Sequence, residues 1–132
     1  MARNISFFIF ILPLVAPIEL LGAQTTTSVS EITYENDIRP ILKTHCFGCH
    51  GETGNKKGNL DLRLRRLIVN GGDSGPAITP GNPDKSYLLR RITSGEMPPG
   101  ENRVPDESIE RIRTWIAEGA PTSEKEPENL SE

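Results

Sequence analysis

Apolar residues in this chain fall into short blocks with different periods, and each block predicts a different element. The first has no period. From Ile5 to Val15 it is nearly continuous, behind the basic Arg3. A basic residue, a short apolar run and then small residues read as a secretory signal over residues 1–23, with cleavage expected after Ala23. The alternative is a retained membrane anchor, which needs about 20 predominantly apolar residues. Pro13, Pro17 and Glu19 interrupt this one, and no cysteine lies near the cut to carry a lipid. The mature protein is therefore expected to be periplasmic or secreted, without stable membrane insertion.

Residues 24–30 read as a linker, and a helical period begins beyond them. Tyr34, Ile38, Ile41 and Leu42 share one helical face, which predicts a helix running into Cys46. Pro40 either kinks it or opens a second short helix, so the helix is expected from Ile41 onward. Two periods overlap in the next block. Leu60, Leu62 and Leu64 alternate as in a strand, while Leu64, Leu67 and Ile68 repeat as in a short helix stopped by Gly71. Asn82 as a cap, Pro83 at the first helical position and Leu88, Leu89 and Ile92 as a buried face predict a further helix. The last pairs the stripe Ile109, Ile112 and Ile116 with Trp115, and Gly119 and Pro121 stop it. The expectation is an all-α domain over residues 31–120, with about four helices, long Gly/Pro loops and no internal repeat.

Composition adds a constraint. With 12 Gly, 11 Pro and 5% aromatics in 132 residues, one small core must carry long loops. Such a domain gains most from a cofactor, metal or disulfide, because it buries a small fraction of its surface. The net charge is −3. Glu124, Glu126, Glu128 and Glu132 against Lys125 account for all of it, so residues 121–132 read as an acidic, disordered tail. The rest is balanced, which implies neither nucleic acid nor an anionic membrane as partner. Arg63, Arg65 and Arg66 read as a solvated face, with one of them available to a cofactor carboxylate.

The chemistry is concentrated in CFGCH, Cys46 to His50, which holds both cysteines and one of the two histidines. A redox dithiol also uses C-x-x-C, but in a βαβ setting that this sequence lacks. Zinc needs four ligands, and His45, Cys46, Cys49 and His50 lie too close in sequence to wrap a tetrahedron. A Cys46–Cys49 disulfide would close a very small loop. C-x-x-C-H is the haem c attachment pattern, in which two thiols form thioethers with the haem vinyl groups and the following histidine lies beneath the iron. This reading is favoured over the other three. His45 has no such geometric role and reads as an ordinary polar residue. Met1 leaves with the signal, so Met97, in GEMPPG, is the sole methionine of the mature chain. It sits in a proline-stiffened loop rather than on an apolar helical face, which favours a thioether iron ligand over core filler.

YENDIRPILKTHCFGCHG, KKGNLDLRLRRL, GGDSGPAITPGNPDKSYLLRRI, MPPG and WIAEGAP together resemble the planctomycete-type cytochrome c domain, a variant of the class I cytochrome c fold. The resemblance covers Tyr34 to Ala120. It implies one covalent haem c on Cys46 and Cys49, with iron between His50 and Met97. It also implies a first helix crossing the last, with Trp115 at the crossing, and a Pro76 carbonyl that accepts a hydrogen bond from His50. Arg63 and Leu64 depart from the family pattern, which tends to have an Asp and a small hydroxyl residue there, so the capping of the following short helix is open. Such domains often open larger secreted proteins, whereas a free-standing domain is expected here.

With both axial positions filled, the expected function is single-electron transfer between redox partner proteins, not catalysis. The alternative is a haem-based sensor or peroxidase-like protein in which Met97 is labile.

Overall fold

The computed structural model describes residues 31–130; residues 1–30, where a signal and a linker are expected, lie outside the described residues. Among the described residues the fold is all-helical, with four α-helices and no strand. They are α1 (Arg39–His45), α2 (Arg65–Asn70), α3 (Tyr87–Thr93) and α4 (Asp106–Ala117). None is long and apolar enough to cross a membrane.

A π-helical turn, Tyr34–Ile38, leads directly into α1, with Pro40 in the first turn of the α-helix. Proline has no N–H to donate, and its ring crowds the carbonyl four residues back. The wider turn comes where that crowding would fall. Tyr34, Ile38 and Leu42 are buried on one face, whereas Ile41 is only partly buried.

The two competing periods after Gly58 are both present, in succession. The backbone stays extended at Leu64, with Leu62 and Leu64 buried, and turns helical at Arg65 to bury Ile68. Gly71 ends α2 at φ +76°, where a Cβ would stand 1.8 Å from the Gly75 carbonyl oxygen. Only glycine fits that close approach in the left-handed region.

The predicted single helix after Asn82 is divided. Asn82 caps a short 3-10 turn, Pro83–Lys85, by accepting from the Lys85 N–H at 3.2 Å. Helix α3 then starts at Tyr87. Between them Ser86 is buried, donating to the Asn82 carbonyl at 2.9 Å and accepting from the Thr79 N–H at 3.0 Å. Leu88, Leu89 and Ile92 form the buried face of α3.

Helix α4 packs against both α3 and the Tyr34–Ile38 turn. Trp115 is fully buried there, 6.0 Å from the Tyr34 ring between centroids. Burial raises the Tyr34 phenol far above its ordinary pKa and keeps it protonated, so it can donate to the Leu62 carbonyl at 2.6 Å. One carbonyl, that of Pro121, accepts from both the Tyr34 N–H at 3.0 Å and Trp115 Nε1 at 2.9 Å.

Part of the segment expected as an acidic tail makes contacts with the domain: Ser123 donates its N–H and hydroxyl to Glu35, and the Glu126 carboxylate accepts from the Arg66 N–H at 3.0 and 3.3 Å. The three arginines are not a solvated face. Arg63 pairs with Asp61, Arg65 donates to the Ala120 and Gly119 carbonyls beyond α4, and Arg66 donates to the Glu128 carbonyl. Charged side chains that looked separately solvated in sequence find backbone partners across the fold. The pairing also answers the question of capping, because Leu64 offers α2 no side-chain acceptor and Glu126 supplies one.

Candidate functional site

Helix α1 ends at Cys46, and a tight turn carries the chain through Cys49 to His50. The Cys49 and His50 N–H groups both donate to the Cys46 carbonyl, at 3.1 and 3.0 Å. Phe47 is buried and fastens this turn to the core. The chain beyond it closes back on the motif: the Lys57 N–H donates to the Cys49 carbonyl and the Leu62 N–H to the His50 carbonyl, each at 2.9 Å.

Asp61 locks that return. It is 5% exposed and accepts from Arg63 through the backbone N–H, Nε and Nη2, with Lys56 Nζ 3.4 Å away. Burial opposes its ionisation, but the Arg63 hydrogen bonds and charge, aided by Lys56, prevail and hold the carboxyl below its ordinary range. Gly51, next to His50, runs against this pair at φ +147°, where a Cβ would stand 2.7 Å from Arg63 Cγ.

Cys46, Cys49, His50 and Met97 all line one cavity of about 280 Å³, together with apolar groups that include Leu60, Leu62, Leu88 and Ile92. Met97 comes from the loop after α3, and its N–H donates to the Arg91 carbonyl at 3.0 Å. The four residues singled out from sequence are thus brought together. The cavity also takes in residues for which the sequence offered no role: His45, Lys57, Ser74, Tyr87 and Arg91. Pro76 differs from expectation. Gly75 and Ala77 border the cavity, but His50 Nδ1 is buried without any hydrogen-bond partner. His45 Nδ1 is buried and unpartnered as well.

The donor set discriminates among the chemistries. Both cysteines are free and half-buried. Burial, and then the neighbouring Cys49, push the Cys46 thiol up to about 11, whereas exchange-active thiols have lowered values. A redox dithiol is therefore a poor fit. Among the described residues no three His, Cys, Asp or Glu side chains group as a metal site, which leaves zinc without a shell. Two thiols, an imidazole with an orphaned nitrogen and one soft thioether around an apolar space do fit a covalent haem c.

Residues 46–101 match the family described as Planctomycete cytochrome C. No curated protein and no solved structure matches the chain. The match begins at Cys46 and extends past Met97, so it takes in the cysteines, His50 and the loop that carries the methionine. Proteins of that family bind haem c and its iron covalently, and cytochrome c domains are typically extracytoplasmic and in general serve electron transfer. Over residues 46–101 the chain is thus similar to the planctomycete-type cytochrome c family, which supports a cytochrome c domain of that type.

Proposed function

We propose that the protein is a monohaem c-type cytochrome that transfers single electrons outside the cytoplasm, between redox partner proteins. Cys46 and Cys49 would hold the haem covalently, with His50 and Met97 as its axial ligands. The observation that carries this reading is the convergence of those four side chains on one apolar cavity. Bound there, the group supplies a one-electron iron couple.

The chain's own residues set the conditions for that couple. The clamped backbone at Cys49 and His50 restricts where the imidazole lies, and a hydrogen bond from its free Nδ1 to a carbonyl would strengthen it as a donor. Met97 offers a soft sulfur, which favours the reduced iron and raises the potential. The apolar lining disfavours extra charge and acts in the same direction. If His50 and Met97 both held the iron, no position on it would be left for a small substrate. The contact of the Tyr34–Ile38 turn with α4 supports a class I cytochrome c-like arrangement. The signal-like pattern of residues 1–23, a basic residue followed by a short apolar run, supports a periplasmic or secreted location.

The test is the mature protein produced in a strain able to attach haem. It should gain the mass of one covalent haem, and its ferric spectrum should show the weak far-red sulfur-to-iron charge-transfer band. Met97→Ala should keep the haem, lose that band, lower the potential and let the ferrous form bind carbon monoxide. A wild-type ferrous form that already binds carbon monoxide stoichiometrically, with a spectrum indifferent to Met97→Ala, would instead favour a sensor or peroxidase-like protein.

A further inference from the structure

Arg91 stands where the cavity wall meets the loop that carries Met97. It belongs to α3 and lines the cavity beside Tyr87, with its guanidinium 5.5 Å from the centre of the Tyr87 ring. Its carbonyl accepts the Met97 N–H at 3.0 Å, and its guanidinium forms an ion pair with Glu96, the residue before Met97. The Ser94 hydroxyl also donates to Glu96, at 3.1 Å. Further along the chain, Arg103 donates to the Gly95 carbonyl. The methionine loop is therefore tied to α3 through backbone and side chain of one residue, and the side-chain tie ends on the immediate neighbour of the sulfur-bearing residue.

We propose that Arg91 is a positioning residue for the sixth iron ligand: its pair with Glu96 holds the 94–97 loop against the cavity and keeps the Met97 sulfur directed inward. This role rests on Met97 being the distal ligand. Swinging the sulfur out moves Glu96 with it and breaks the pair, so the pair stabilises the closed loop alone. Both groups are partly exposed, at 32% and 52%, which limits the bias to about fivefold, the upper range for such pairs.

Imidazole binding to the ferric holoprotein measures this bias. The probe can reach iron only when Met97 has left, so its apparent affinity scales with the open fraction. Arg91→Gln and Glu96→Gln should each raise that affinity about three- to fivefold, and the double variant should go no further, because either change removes the same interaction. Arg91→Lys, which keeps the charge, should fall between wild type and Arg91→Gln. Neither change touches the Arg91 carbonyl, so the side chain alone is tested. Glu96→Gln, on the more exposed partner, keeps the test alive if Arg91→Gln folds poorly.

Unchanged affinity in both single variants, or additive effects in the double variant, overturns the role of the pair while leaving Met97 ligation intact. A wild-type ferric spectrum without the sulfur-to-iron band overturns Met97 ligation itself, and this role with it. The presence or absence of that band in wild type separates the two failures.

Discussion

Glu126→Ala should destabilise the domain by removing the cap of a helix lying some sixty residues earlier in the chain. Helix α2 has only six residues and starts after Leu64, which has no side-chain acceptor. The Leu67 and Ile68 N–H groups reach the Leu64 carbonyl at 3.1 Å, and the Arg66 N–H is taken by Glu126. Loss of an N-terminal side-chain acceptor costs typically about 1 kcal/mol. A carboxylate at that end contributes a further ~0.3–1 kcal/mol through the helix dipole. The sum is about 1–2 kcal/mol, since the Glu126 site is only half-buried. For a domain of this size that is a fall in Tm of about 5–10 °C.

Glu126→Gln keeps an acceptor and loses the charge, so it should fall between wild type and alanine, with a gap that narrows in high salt. Truncation after Thr122 should cost more than Glu126→Ala. It also removes the Ser123 bonds to Glu35 and the Glu128 carbonyl that Arg66 uses, yet keeps the doubly accepting Pro121 carbonyl. Urea and thermal unfolding of the holoprotein, followed by circular dichroism, would measure all three. If alanine and the truncation both lie within about 0.3 kcal/mol of wild type, the segment is solvated and α2 is capped by water, contrary to the reasoning.

Gly51→Ala should cost roughly 1–3 kcal/mol, because it combines an unfavourable φ with a Cβ pressed on Arg63. A shift in the haem spectrum should accompany the loss, since the neighbouring residue is His50; chemical denaturation with parallel absorbance spectra checks both. Asp61 has a lowered pKa when folded, so its stabilising contribution is fully present above about pH 3.9, the ordinary value, and is lost as pH falls through the folded value. Asp61→Asn should therefore be less stable than wild type at neutral pH, with the difference shrinking below about pH 4; denaturant midpoints measured across the acid range test this.

What the sequence determined by itself is local or rests on scarcity. The offsets within CFGCH are covalent facts of the chain, readable without any fold. Met97 stood out because it is the only other sulfur donor after residue 23. Helix α4 was legible because Ile112 and Ile116 share one period and Trp115 joins the same buried face. The block from Leu60 to Asn70 was readable only in part: it contains both an alternating and a helical pattern, and a sequence window cannot say where one yields to the other.

Tertiary structure decided whatever depends on partners distant in the chain. Arg65 and Arg66 find theirs 54 to 62 residues away, in the segment after α4 that composition alone marked as a disordered tail. A charged side chain looks the same in sequence whether water or a carbonyl will solvate it. Arg91 shows the same limit at the site: its place on an amphipathic helix gives no hint that α3 ends beside the cavity or that Glu96 turns back onto it. The position of the iron ligands along the chain was thus legible, while the groups that hold them there were not, because holding is a property of contacts made only after the chain has closed on itself.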